Sequence, residues 1–173
     1  MINKNQAELE QILDDVTAND YDNELEILSD FVEQLIQSTE KKITGGRVWK
    51  LVPEKFAYEL QFQAGGMREI PLGFTHSLTD ELFHKELLSL KSDKVFTSQE
   101  SNEELIKLGI GNYAGVGVGE VIHLQSGKYF DYLFGFNAEE FNEDFFDNLR
   151  IIARLATIAI RDLAIKKKDE NYG

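Results

Sequence analysis

His84 is the histidine with the best-placed partner in this chain, lying four residues after Asp80 in the segment SLTDELFHKELLSL (77–90). Residues four apart on a helix share a face, so a carboxylate and an imidazole there can ligate a metal, or His84 can serve as an axial heme ligand. No second histidine stands one turn away and no HExxH pattern occurs, so a surface or pocket-wall histidine is the plainer expectation. His76 precedes that helix and His123 ends a strand; both read as exposed or hydrogen-bonding residues. Asp15, Thr17, Asn19 and Glu26 stand at positions 1, 3, 5 and 12 of an EF-hand spacing. Asp20 occupies the position that needs glycine and Asp22 the one that needs an apolar residue, so an acidic turn between helices is expected instead. Ser126-Gly127-Lys128 resembles part of a phosphate loop but lacks the upstream glycine and lies between strands, not before a helix. No Ser-His-Asp set, carboxylate pair at credible spacing or glycine-rich nucleotide fingerprint emerges, and an enzyme is not expected.

The remaining chemistry is that of a binding pocket. Trp49, Tyr58, Phe62, Tyr113 and Phe134 lie on or beside strand-like segments and are candidates, with His84, to line a small-molecule site; core packing is the competing role of each aromatic residue. Gly115, Gly117 and Gly119 alternate along one strand. Glycine weakens a strand, so the bare face must accept a packed helix, a bulge or a ligand, and helix packing is the first expectation.

The elements that would carry these residues are readable from periodicity. Leu9, Ile12, Leu13 and Val16 mark a short helix over 6–16. Leu25, Leu28, Phe31, Val32, Leu35 and Ile36 mark a longer one over 23–41, capped by Asp22 or Asn23 and stopped by Gly45-Gly46. The period then becomes two: Val48 to Val52 and Tyr58, Leu60, Phe62 predict a hairpin. Helices are expected over 77–90, with Ser77 as cap, and over 101–108, with a Ser101–Glu104 capping box; a short strand is expected at 95–98. Two longer strands, 113–124 and 128–136, meet at a turn over 125–128, and a long helix covers 141–168. This order gives an α+β domain with one antiparallel sheet. The division expected is an acidic extension over 1–21, a domain over 22–168 and a tail over 169–173.

Composition bounds the function further. The chain has 173 residues, 42% hydrophobic and 11% aromatic, too apolar for disorder. It contains no cysteine, which removes disulfides, thiol nucleophiles and thioether-attached chromophores. The net charge is −13, and residues 1–40 hold eleven acids against one base, Lys4. Such a surface repels a phosphate backbone, so no nucleic-acid partner is expected. No apolar run reaches membrane-spanning length and no signal-peptide pattern opens the chain, so a cytoplasmic location without a membrane partner is expected.

Over about residues 22–165 the pattern resembles the GAF domain. The segment GVGVGEVIHLQSGKYFDYLFGFN is similar to that family's paired central strands, FNEDFFDNLRIIARLATIAIRDL to its closing helix, and IQSTEKKITGGRVWKLV to its helix-to-strand entry. A PAS-like or other profilin-like sheet domain is the alternative. The resemblance implies a profilin-like antiparallel sheet flanked by helices, with long terminal helices forming a bundle. It also implies a pocket between one sheet face and the short helices, and relay of ligand state to an output domain or protein partner. The ligand and any cofactor are left unidentified. The cyclic-nucleotide pattern fails, because five residues separate Phe74 from Asp80-Glu81 and no Asn-Lys pair accompanies them; the bilin-attaching and sulfoxide-reducing patterns need cysteine. An interaction module whose pocket is filled by side chains is the alternative function, and metal or heme sensing through His84 a third.

A homodimer is expected, built largely by the last helix with help from the 23–41 helix; the alternative is that the protein's own N-terminal helix covers the seam. Phe145, Leu149, Ile152, Ala156, Ala159 and Leu163 recur at heptad spacing. A second stripe, Ile151, Leu155, Ile158 and Ile165, lies beside it. The alanine-bearing stripe is assigned to a second subunit and the bulkier stripe to the sheet.

Overall fold

The computed structural model describes residues 11, 14, 22–38, 43–65, 71–79, 96–98, 113–125, 127–138 and 143–172. Helix α1 spans Glu24–Ser38. Strands follow at Ile43–Val52 (β1), Ala57–Gly65 (β2), Thr75–Ser77 (β3), Phe96–Ser98 (β4), Tyr113–Leu124 (β5) and Gly127–Ala138 (β6), and helix α2 spans Glu143–Tyr172. The six strands form one sheet in the order β3-β2-β1-β6-β5-β4, with every pairing antiparallel. The α+β class and single antiparallel sheet expected from the sequence are therefore present. His84, the 77–90 and 101–108 helices beyond residue 79, and most of the 1–21 extension lie outside the described residues.

Local chemistry fixes the ends of the elements. Asn23 is the cap of α1: its Oδ1 accepts the backbone N–H of Glu26 at 3.0 Å, while the Glu26 carboxylate accepts the N–H of Asp22 at 3.0 Å. The cap satisfies one orphan donor at the helix end, and the bond from Asp22 fixes the chain as it enters the helix. A 3₁₀ turn at Pro53–Lys55 joins β1 to β2. The β5–β6 hairpin is tighter than the expected turn, since Leu124 already pairs with Gly127. Ser77 pairs with Ala57 as a strand residue, and its hydroxyl accepts the N–H of Thr79 at 3.1 Å. Helix α2 runs four residues past its expected end, through most of the stretch read as a tail.

Gly45 and Gly46, expected to stop a helix, instead lie inside β1. A methyl group on Gly46 would sit 2.6 Å from Cγ1 of Val32 and 2.8 Å from the Phe136 ring. Glycine is required there because α1 lies directly on the strand.

Both helices pack on one face of the sheet and touch each other. The core between them holds Leu28, Phe31, Val32 and Leu35 of α1, and Val48, Val116, Phe134 and Phe136 of the sheet. From α2 it takes Phe145, Leu149, Ile152, Ala156 and Ala159, with Leu163 packed at its edge. This corrects the dimer assignment: the alanine-bearing stripe is buried within its own chain. Along this stripe Phe145 meets the Phe136 ring edge-on at 6.2 Å, while Ala153, Ala156 and Ala159 let the rest of α2 come close at native packing density. The bulkier stripe faces outward, with Ile151 38%, Ile158 49% and Ile165 58% exposed.

The opposite face carries a second cluster: Trp49, Leu51, Tyr58, Leu60, Leu78, Tyr129, Phe130 and Leu133. Gly117 belongs to this side, where a methyl group would sit 2.0 Å from Cδ2 of Phe130. Its bare face accepts a ring from the neighbouring strand, not the helix that was expected. Gly119 adopts φ +90° where the β5–β6 register shifts, a conformation that favours glycine. Gly117→Ala is expected to destabilise the fold by about 1–3 kcal/mol through overpacking, and Phe130→Leu in the same chain should recover part of it. Urea denaturation of the single and double variants checks this; equal stability of Gly117→Ala and the parent would contradict the packing described.

Candidate functional site

The candidate site is the sheet face opposite the two helices. In β1, Arg47, Trp49 and Leu51 alternate with Val48, which enters the helix-side core, so the first three share the candidate face. In β6, Leu133 belongs to this face and Phe134 and Phe136 to the other, which places Gly135 and Asn137 beside Leu133.

Strand β2 needs a bulge to complete the arrangement. Val48 pairs with Phe62, but the next residue, Trp49, pairs with Leu60, leaving Gln61 as the extra residue. One extra residue inverts the alternation. Tyr58 and Leu60 therefore join Trp49, while Phe62 turns to the helix-side core. Of the expected pocket residues, the structure brings together Trp49 and Tyr58. It places Phe62 and Phe134 on the wrong face for a shared pocket, a correction whose cause for Phe62 is the bulge. Tyr113 opens β5, paired with Asn137 and Ser98. His84 is outside the described residues.

Trp49 is fixed edge-on to Phe74, at 6.5 Å between centroids, and to His76, at 6.3 Å. The Tyr58 hydroxyl donates to the backbone carbonyl of Phe130 at 2.7 Å. At the other end of the floor, Arg47 is 2% exposed and Asn137 8%, and Arg47 Nη1 donates to Asn137 Oδ1 at 3.0 Å. Burial pushes the Arg47 guanidinium down to about 10, still protonated at neutral pH. Reasoning from sequence missed Arg47 and Asn137. The signal available was a charged residue in phase with Trp49 and Leu51, but Val48, Lys50 and Val52 offered an equally apolar opposite phase.

A concavity of about 370 Å³ lies on the helix side, lined in part by Glu24, Gly119, Glu120, Asp131, Thr157 and Arg161. Burial, then the charge of Glu24, raises the Asp131 carboxyl above its ordinary value. The Tyr132 hydroxyl donates to Glu24 at 2.7 Å, and Gly119 N–H to Thr157 Oγ1 at 3.1 Å. These bonds tie the bulge of β5 and the strand β6 to both helices. Among the described residues no group of three or more His, Cys, Asp or Glu residues is placed to hold a metal ion, and no helix is long and apolar enough to cross a membrane.

Comparison with solved structures defines the class. The GAF domain of an Acinetobacter phosphoenolpyruvate-protein phosphotransferase superposes with a TM-score of 0.64 at 12% identity, covering 95% of this chain and 97% of that one. The phycocyanobilin-bound GAF domain of a cyanobacterial phytochrome gives 0.64 at 12% identity, covering 96% and 98%. The free methionine-R-sulfoxide reductase of Neisseria meningitidis, in complex with its substrate, gives 0.64 at 10% identity, covering 91% and 88%. No protein-family model matches the sequence, and no curated protein matches it. The chain has the GAF-domain fold; no subtype is identifiable.

The buried tyrosine yields a pH prediction. Burial, then the nearby Asp131 and Tyr129, lifts the Tyr58 phenol far above its ordinary 10.0. Above pH ~10 the unfolded phenol ionises and the folded one does not, so stability is full below that pH and falls as pH rises past it. Tyr58→Phe should cost roughly 0.5–1.5 kcal/mol at neutral pH yet show a shallower alkaline loss than the parent. Thermal melts from pH 8 to 11 test the sign, and parallel curves would contradict it.

Proposed function

We propose that this protein is a sensory, non-enzymatic GAF domain. It binds a small molecule on the face carrying Arg47, Trp49, Tyr58 and Leu133, and passes the bound state to a partner or output domain through α2. The observation that carries this reading is the separation of the sheet into two faces. The terminal helices cover one, and the other carries a separate buried cluster with a polar end at Arg47 and Asn137 and an apolar end around Trp49 and Tyr58. Two of the similar solved structures are named for molecules they hold, phycocyanobilin in one and a substrate in the other. A pocket filled by side chains is the second reading. It is favoured by Phe130 occupying the space beside Gly117 and by the complete burial of Tyr58. Native mass spectrometry of the purified protein, followed by a metabolite and cyclic-nucleotide thermal-shift screen, separates the two. A ligand at about a hundred times its Kd should stabilise the sensor by roughly 2.7 kcal/mol. A bare mass with no hit favours the filled module. A Soret band lost on His84→Ala would favour heme sensing.

For the relay we propose a homodimer through the outward stripe of α2. Ile151, Ile158 and Ile165 repeat at heptad spacing and are exposed, Leu155 beside them packs at the edge of the chain's own core, and residues 164–170 of the helix are exposed throughout. Ile158→Asp should leave the monomer folded and weaken the dimer by about 1.5 kcal/mol or more per subunit. Sedimentation velocity reads it, and a parent protein that is monomeric at high concentration would refute the dimer.

A further inference from the structure

We propose that the helix-side concavity is a separate binding site and takes a small zwitterion of the amino-acid type. The ammonium group sits among Glu24, Glu120 and Asp131, and the carboxylate turns toward Arg161 and Lys168. The site lies across the sheet from Trp49 and Tyr58, and its occupancy is independent of any ligand there.

An irregularity in β5 makes the concavity. Val118 pairs with Tyr132 and Val121 with Phe130, so Gly119 and Glu120 together stand opposite Asp131. Such a bulge bends a strand and interrupts its ladder. Gly119 takes φ +90° there, and a methyl group on it would lie 3.5 Å from Cβ of Asp131. Its N–H is held by Thr157 Oγ1 at 3.1 Å, which anchors the bulge to α2. On α2 the lining residues Thr157, Arg161, Ala164 and Lys168 recur at helical spacing, so one stripe of the helix forms that wall. The volume of about 370 Å³ lies at the small end of the range of roughly 300–1,000 Å³ typical of small-molecule sites.

Charge is divided between the walls by element. Every acidic residue of the lining comes from α1, β5 or β6, and both basic ones come from α2. Asp131 is half-buried; burial, then the charges of Glu24 and Glu120, raise its carboxyl above the ordinary value, with Lys50 acting the other way. Among the described residues the Asp131 side chain makes no hydrogen bond, and none of Glu120, Asp131, Arg161 and Lys168 is in an ion pair. Glu24 accepts the Tyr132 hydroxyl at 2.7 Å, which uses one of the roughly four acceptor sites of a carboxylate. The acidic wall therefore keeps acceptor capacity and negative charge that the chain does not offset. An ammonium group brings three donors and the missing charge. The three carboxylates are not placed to share a metal ion. A polyamine would meet Arg161 and Lys168 as like charges, whereas a carboxylate on the same ligand matches them. Ile160, Ala164 and Ile165 add an apolar strip to the α2 wall, which suits a short aliphatic body.

Calorimetry and thermal shift on the full chain test this with the standard amino acids, γ-aminobutyrate and ε-aminocaproate. Each hit is repeated with its deaminated and decarboxylated counterparts, which for leucine are isocaproate and isoamylamine. The expected result is stabilisation by at least one zwitterion, with both counterparts binding about tenfold or more weakly. Asp131→Asn should weaken the hit by about tenfold or more. It removes a charge that burial and Glu24 disfavour, so it should melt no lower than the parent. Arg161→Gln, at an exposed position, should leave the melt unchanged and also weaken the hit. A panel without a hit overturns the site. A hit equalled by the amine or the acid alone overturns the zwitterion, and one insensitive to both substitutions lies elsewhere in the molecule. A crystal structure with Arg161 or Lys168 paired directly to Glu120 or Asp131 across a closed cleft overturns the proposal as well.

Discussion

The β1–β6 pairing at the centre of the sheet must bury both of its faces at once, and the rest of the structure is arranged around that requirement. Residues alternate between faces along a strand, so a one-residue slip anywhere in this pair would move every side chain to the wrong core. The register from Gly45–Asn137 to Lys50–Tyr132 runs without interruption, and it sends Val48, Phe134 and Phe136 to the helices. The same register sends Trp49 and Leu133 to the other side. Adjustments are made at the start of this pair, between Ile43 and Gly45, and in the neighbouring strands. Gln61 bulges out of β2, and the β5–β6 register shifts between Val118 and Val121, where Gly119 turns to positive φ.

Small residues then set how closely the layers approach. Gly46 admits Val32 of α1, Gly117 admits the ring of Phe130, and Ala153, Ala156 and Ala159 bring α2 down onto the sheet. Each gap is occupied by a large neighbour, as close packing demands. Gly135 differs: it remains partly accessible beside a buried cation. Keeping a guanidinium out of water costs several kcal/mol unless hydrogen bonds and an opposite charge offset it. The helix side uses its polar groups differently, spending Glu24, Tyr132 and Thr157 on holding helices to strands.

By itself the sequence determined the first helix with its cap at Asp22 or Asn23, the β1–β2 hairpin, the two long strands, the closing helix and, through resemblance, the GAF-domain fold, but not the short strand Thr75–Ser77. These follow from local rules: period, capping chemistry and turn residues act over a few neighbours and leave their mark in the chain. It also narrowed the candidate site to strand aromatics, of which Trp49 and Tyr58 share the face opposite the helices. What only the tertiary structure decided was which of two apolar alternatives faces where. Both phases of VWKLV are apolar enough to be buried, so Arg47 could not be placed beside Trp49 from spacing alone. Phe62 reads as in phase with Tyr58 until a bulge, fixed by pairing with β1, inverts it. Helix α2 presents two apolar stripes, and only packing against the sheet and α1 shows that the one from Phe145 to Ala159 is buried. Glycine carries no signal about its neighbour: only packing shows that Gly46 meets a helix, Gly117 a ring and Gly135 an open step. Face, register and volume are settled between segments far apart in the chain, and no single segment records them.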